Sequence, residues 1–468
     1  MRKNKVLPGS AIRVAFLSAL AAPAGALAGG FSLNEQSASA MGVANAGTAA
    51  NPENATTVFF NPAGMSQLSG TNMSFGAAVL DIDAELKEGT GRAVRDDGRP
   101  VNGGTGGDIA DPALLPNFYM THEINDWVDV GFGLHAPYGL AADYEDDFKG
   151  RFFADETELT AIAFSPSIAV NDGNGFSMGA GINVIYAEGK LTKFQDYSGT
   201  EARFGLPPGT LDDGYANIEG DDLALTFAFG MLWEVSQQTQ FGISAQTGTE
   251  LELEGDAEIR NFPQGSAGPG GVTFSQPTVT EKAMVPLEIP ESITFGARHR
   301  LTDTVTLLAG ATWAKWSRFE ALDVVSREEN GPVSSQTGPR LGDDRLIAHV
   351  SENWKDTWQA NVGAIWQATP EWALKAGYAW DESPVNDDFR TARIPSGDRD
   401  WLTLGAQYAD ARSGWTVDVA AGVLLFDDQK VDEQNYDVDD EPMPGAARFQ
   451  GTYELDAWSA GVQVSKQF

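Results

Sequence analysis

A strict two-residue alternation, repeated along the chain and interrupted at regular intervals, most restricts what this sequence can fold into. In one stretch Trp372, Leu374, Ala376, Tyr378 and Trp380 share a face, while Ala373, Lys375, Gly377, Ala379 and Asp381 share the other. A period of two is that of a β-strand, here greasy on one side and small or charged on the other. The same split recurs at Phe241 to Gln246, Trp358 to Gln367 and Phe176 to Tyr186. Soluble sandwiches alternate too, but the spacing distinguishes them. The pattern predicts 14 strands, beginning near residues 72, 114, 128, 157, 176, 219, 239, 281, 304, 354, 371, 400, 414 and 447. Turn-like pieces such as Asn125-Asp126, Asn171-Asp172-Gly173, Thr302-Asp303 and Thr369-Pro370 separate alternate pairs, and long loops separate the rest. An even strand count with short turns at one end and long loops at the other is the outer-membrane barrel pattern.

Hydropathy agrees. After Ala28 no run of 18 apolar residues occurs, so no transmembrane helix is available and a membrane-spanning form must be a closed barrel. Trp127, Phe176, Phe241, Trp366, Trp372 and Trp415 all lie within a few residues of a short turn, as an interfacial belt on the periplasmic side requires. The chain ends inside an alternating strand in which Trp458, Ala460, Val462, Val464 and Phe468 share a face. Such a terminal aromatic resembles the assembly signal of bacterial barrels and makes the barrel assembly machinery an expected partner through Phe468.

The amino terminus supplies an address. Arg2, Lys3 and Lys5 precede an apolar run from Val14 to Ala22, and Ala26-Leu27-Ala28 offers small residues for cleavage, so residues 1–28 read as a secretory signal. Residues 29–70 are rich in Ala, Gly, Ser and Asn, hold no sustained period and are broken at Asn51-Pro52 and Asn61-Pro62. Such a segment cannot bury a core of its own and reads as a plug, with residues 71–468 as the barrel around it. Net charge is −35, which argues against nucleic acid, and Cys is absent. Outer-membrane lipids and lipopolysaccharide are the expected surroundings.

Enzymatic motifs are weak. Gly175-Phe176-Ser177-Met178-Gly179 matches the nucleophile-elbow pattern, but that motif needs a strand-to-helix turn, and here alternation runs unbroken to Tyr186. A lipid hydrolase using Ser177 is therefore the lesser reading, and the chain is expected not to be an enzyme. His122, His135, His299 and His349 show no metal spacing, and neither a phosphate loop nor a calcium loop is present, so no metal or cofactor is expected. The acidic runs Glu145-Asp146-Asp147 and Asp437 to Glu441 read as solvated loop charge.

Several longer motifs carry a resemblance. They are GGFSLNEQSASAMGVANAG from Gly29, Asn61-Pro62-Ala63, PYGLAADYEDDFKGRF from Pro137, WSRFEAL from Trp316, NWKDTW from Asn353, AGYAWDESPV from Ala376 and PSGDRDW from Pro395. Over essentially its mature length the chain resembles the FadL/TodX family of outer-membrane transporters for long-chain fatty acids and other hydrophobic compounds. The resemblance implies an all-β, 14-stranded antiparallel barrel closed by an N-terminal hatch, with passive uptake through a gated lumen and lateral exit. Uptake of aromatic or alkane hydrocarbons by the same route is the alternative. By position, Phe31 matches a pocket aromatic and Lys193 a basic pocket residue. Asn61, Pro62 and Ala63 match the hatch triplet. Pro137 and Gly139 fall at the wall kink, and Gly230 matches a glycine beside the opening. A second basic residue expected before NWKDTW is out of register: Val350 stands there, with His349 adjacent. That departure leaves room for neutral substrates, and Lys193 also reads as a solvated strand-end lysine.

Overall fold

Backbone polar groups inside a bilayer must all pair within the protein, and this chain does so by closing a sheet on itself. The computed structural model describes residues 29–268, 271–335, 340–342 and 344–468, so the expected signal segment lies outside the described residues. Fourteen antiparallel strands form the wall. They are β1 (Thr71–Leu86), β2 (Ala113–Asn125), β3 (Val128–His135, resuming as Gly139–Asp143) and β4 (Glu156–Phe164 and Ser167–Asn171). Next come β5 (Phe176–Gln195), β6 (Gly214–Glu234), β7 (Thr239–Gln246 and Thr249–Arg260) and β8 (Val279–Ile289 and Ser292–Arg300). The circuit finishes with β9 (Val305–Ala314 and Ala321–Ser326), β10 (Asp344–Ser351 and Thr357–Gln367), β11 (Trp372–Asp381), β12 (Arg399–Asp410), β13 (Trp415–Phe426 and Gln429–Gln434) and β14 (Arg448–Gln467). β1 pairs with β14 from Asn72↔Gln467 to Leu86↔Tyr453, which removes both sheet edges.

The alternation places the membrane. On β11 Trp372, Leu374, Tyr378 and Trp380 are exposed, while Ala373, Lys375, Ala379 and Asp381 are buried in the lumen. On β6 Leu223, Leu225, Phe227, Phe229, Met231 and Trp233 make the same outward stripe. The aromatics expected at the short-turn end are all exposed, from Trp127 to Trp415. Strands outrun this band. β5 and β6 have 20 and 21 residues, against about 9–11 needed to cross a bilayer. Their upper parts stand beyond the lipid, where outward positions become charged, as Glu188 on β5 and Glu219 on β6 are, and as Glu252 and Glu254 are on the neighbouring β7. This corrects the expected start of β10 near 354. Its first part begins at Asp344, inside what reads as a loop, because apolar residues fall on both sides of it, Leu346, Ala348 and Val350 on one and Ile347 on the other, so no period of two marks it.

Inside sits the small-residue segment. It forms α1 (Ala38–Met41), a 3₁₀ turn at Thr48–Ala50, α2 (Thr57–Phe60) and a second 3₁₀ turn at Pro62–Gln67. Most of it is buried. Its backbone lies directly on the wall because the wall offers glycine where they meet. A Cβ at Gly230 would overlap Asn61 Oδ1, one at Gly242 the Ala49 carbonyl, one at Gly377 the Val43 backbone, and one at Gly179 the Ala63 backbone. Only a residue without a side chain allows such approach. Gly377→Leu should therefore unseat the hatch while the barrel still forms. Planar-bilayer recordings should show higher ion conductance than wild type; unchanged conductance would mean that the hatch does not depend on this contact.

Candidate functional site

Two anchoring systems hold the hatch. At Asn61-Pro62-Ala63, Asn61 Oδ1 accepts from Ala63 N at 3.0 Å and caps the second 3₁₀ turn, with Pro62 just inside it. Asn61 Nδ2 donates to Ala49 O at 2.6 Å and to Met231 O on β6 at 3.0 Å. Ser177 Oγ donates to Ala63 O at 3.0 Å, so the hydroxyl in the elbow-like motif pins the hatch to β5. Gly230 stands on β6 against Asn61, away from the break in β3. The second system is ionic. Lys375 on β11 is buried and meets Glu53 of the hatch at 2.7 Å, Asp418 on β13 at 3.1 Å and Ser39 Oγ at 2.8 Å.

Above the hatch lies an apolar pocket. Phe31 is 1% exposed and enclosed by Trp316, Phe319 and Trp354, with ring centroids 5.0, 5.5 and 5.0 Å away. Each such pair is worth about 0.5–1.5 kcal/mol beyond burial. Leu140, Leu159, Ile218, Leu253 and Leu287 complete a cavity of about 40 Å³, too little for an acyl chain while Phe31 is in place. Arg393 lines it as well, 4% exposed. Its guanidinium donates to Thr157 Oγ1, Thr192 O and Glu156 O, and no carboxylate lies within ion-pair distance among the described residues. Burial pulls its pKa down. A buried guanidinium without a paired anion is an uncommon arrangement.

Lys193 and His349 line a neighbouring cavity together, with Glu433 and Tyr436. The structure thus brings these two predicted residues together, next to the Phe31 pocket. Their roles differ. His349 Nδ1 meets Asp323 Oδ1 at 2.6 Å and Nε2 meets Ser351 Oγ at 3.1 Å, so both ring nitrogens already have protein partners. Burial, with the Arg393 charge, lowers Lys193 to about 8. Burial raises Glu433 to about 7 and Glu352 to about 8. These groups stand above the lipid band, level with exposed Glu188, Lys355 and Asp427.

The wall is interrupted at β3. Pairing of β2 with β1 reaches Leu80↔Ala113, but pairing with β3 stops at Phe118↔Leu134, leaving Ala113 to Asn117 without a neighbour on that side. Pro137 and Gly139 bound the break. Its backbone groups pair with the hatch instead: Leu33 N donates to Pro137 O at 3.1 Å, Gly139 N to Phe31 O at 2.9 Å, and Gln36 Nε2 to Ala136 O at 2.7 Å. The segment from Phe31 to Gln36 therefore fills the pocket at one end and seals the break at the other.

Comparison with known proteins fits this geometry. Residues 19–468 match the sequence profile of a family described as outer membrane protein transport protein (OMPP1/FadL/TodX). The chain belongs to this family. It is an outer-membrane protein of the FadL/TodX group of hydrophobic-compound transporters. Among relatives, a putative outer membrane protein of Neisseria meningitidis serogroup B is 28% identical, over 84% of this chain and 86% of its own length. The long-chain fatty acid transport protein of Escherichia coli K12 is 24% identical, over 92% and 94%. In fold, a Pseudomonas aeruginosa FadL homologue superposes with a TM-score of 0.79 at 20% identity, covering 94% of this chain and 100% of its own. The Pseudomonas putida toluene transporter TodX gives 0.65 at 16%, covering 94% and 99%.

Sequence reading of this FadL/TodX chain missed Arg393 and the ion triad of Lys375 with Glu53 and Asp418. Lys375 appears there only as a charged position on an inward face, and its distance in sequence from Glu53 hides the pairing. Arg393 sits in a long loop without period, so nothing local distinguishes it. Lys375→Met would leave Glu53 and Asp418 buried without their cation, a loss of about 3–5 kcal/mol for a broken buried pair. Hatch residues should then become sensitive to protease in folded barrels; protection equal to wild type would show that the ion triad does not hold the hatch.

Proposed function

We propose that this protein takes up long-chain fatty acids passively. The acyl chain enters the apolar pocket, its carboxylate is held by Arg393 with Lys193 nearby, and the ligand leaves sideways through the break in β3. One observation carries the reading: a buried guanidinium with no carboxylate at ion-pair distance among the described residues, on the wall of an apolar pocket. A charged donor and a carboxylate make a strong pair there, and each buried methylene adds about 0.8 kcal/mol. The relative named a long-chain fatty acid transport protein supports the same substrate class. The printed name of TodX supports the second reading, an aromatic hydrocarbon by the same path.

Coupling follows from the Phe31 to Gln36 segment. An acyl chain entering the pocket displaces the Phe31 ring and pulls on the Gly139 N to Phe31 O bond, loosening the seal over the break. Downhill flux into periplasm or membrane needs no other energy source.

Two measurements test this. Oleate binding should weaken on Arg393→Ala while toluene binding holds; equal loss of both would remove the carboxylate assignment. Affinity for oleate should also fall on the order of tenfold between pH 6 and pH 9. At pH 6 Glu433 and Glu352 are neutral and Lys193 is charged, whereas at pH 9 both carboxyls are ionised and Lys193 has lost its proton, so the site turns from cationic to anionic. A flat profile counts against it. For the exit, Ser32 and Tyr138 form an antiparallel bridge in a cysteine-free chain, which suits a disulfide between Ser32→Cys and Tyr138→Cys. Oxidation should stop uptake and reduction restore it; undiminished uptake in the oxidised form would rule out movement of this segment.

A further inference from the structure

Polar groups buried in a folded protein are nearly always hydrogen-bonded, so a cluster that is not calls for an explanation. One such cluster lies on the lumenal side of β2 and β3, directly below the break. Asn117 Oδ1, Tyr119 Oη, Thr121 Oγ1 and His135 Nδ1 are all buried and make no hydrogen bond to any described residue. Asn117, Tyr119, Thr121 and His135 are 4%, 0%, 1% and 2% exposed. Tyr119 pairs with Gly133 and Thr121 with Gly131 across the β2–β3 ladder, and His135 follows Leu134, the last paired residue before the break. The Tyr119 and His135 rings are 5.6 Å apart. Over them lies the hatch: the Phe59 ring stands edge-on to His135 at 4.8 Å, and Val58 packs in the same cluster as Tyr119.

From this placement we infer that the patch is a second binding site, for the uncharged hydroxyl-bearing head of an amphiphile on its way out: a protonated carboxyl or an alcohol. The inference rests on the lateral route proposed above. With the hatch seated, the patch is covered by Phe59 and Val58 and its polar atoms stay unpaired. When α2 moves away, a hydroxyl and an imidazole, with an amide and a second hydroxyl beside them, stand at the lower lip of the opening. A head group with both a donor and an acceptor satisfies them, and a plain hydrocarbon does not. A neutral head is favoured over a carboxylate because Asp129, buried on the same face of β3 and paired with Glu123, adds negative charge further down this lumenal surface. The site is thus the reverse of the Arg393 pocket, which selects a charged head.

Uptake of oleyl alcohol and of cis-9-octadecene, equal in length and both neutral, discriminates. In cells whose only transporter of this kind is the full-length protein, Tyr119→Phe should lower the alcohol-to-alkene uptake ratio about fivefold, the size of one hydrogen bond. Thr121→Val should lower it in the same direction and serves if the first variant folds poorly. Ser459→Ala is the control, since it removes an equally buried, unpartnered hydroxyl on β14 and should keep the wild-type ratio. Unfolding temperatures of the two test variants should match or exceed wild type, because each loses an unsatisfied group. An unchanged ratio in both variants, or an equal fall in Ser459→Ala, overturns the site while leaving the lateral route standing. Failure of the wild type to take up either neutral lipid, with oleate uptake intact, overturns the site and leaves the fatty acid route standing; loss of oleate uptake as well overturns both.

Discussion

Closure of β1 on β14 is the constraint on which the rest depends. Once the wall is a closed cylinder, its inward face must be filled or flooded, and a chain of alternating strands has nothing of its own to fill it. The preceding 42 residues of small side chains supply the filling. They can do so only because the wall yields space, with glycine at Gly179, Gly230, Gly242 and Gly377 admitting backbone against backbone. A conventional core would be fixed by interlocking side chains. Here the contact is smoother, and the holding strength is concentrated in a few polar points around Asn61, Ser177 and Lys375. In the proposed function that distribution suits a part that unseats: few bonds are broken, and the surfaces that separate are small.

The strand plan was legible because membrane strands obey a period of two over their whole lipid-facing length, and each start near a short turn lies within a few residues of the observed one. Legibility failed where the lipid ended. Above the band the upper half of β7 exchanges greasy outward positions for charged ones, and in Asp344–Ser351 apolar residues fall on both sides, so it reads as loop although it pairs with Ala321–Val325 across a bulge at Val324/Val325. Site residues divide along the same line. Phe31 lines one of two adjoining cavities, and Lys193 and His349 line the other; Phe31 and Lys193 could be placed by resemblance, and His349 only as a neighbour of an out-of-register position. Arg393 and the Glu53–Lys375–Asp418 triad could not, since their partners come from different turns of the barrel and only the closed cylinder brings them together. His349 shows the limit of position alone: it stands beside Val350, which occupies the place of the expected cation, and Asp323 and Ser351 occupy its ring.

The break in β3 and the pocket are built as one unit. Strand pairing that would normally run from β2 to β3 is replaced, on the β3 side, by pairing with the hatch. The backbone of β3 at the break is therefore paired while the hatch is seated, whereas Ala113 to Asn117 of β2 keep their ladder on the β1 side alone.

This arrangement has a thermodynamic corollary. If one segment, Phe31 to Gln36, occupies both places, then pocket and break are linked sites, and linkage is reciprocal. Under the proposed lateral route, whatever stabilises the vacated break from the lipid side, an inserted acyl chain of the outer leaflet for instance, raises the affinity of the pocket by the same factor with which pocket ligands favour the vacated break. The composition of the surrounding membrane then enters the apparent affinity of a site that never touches it.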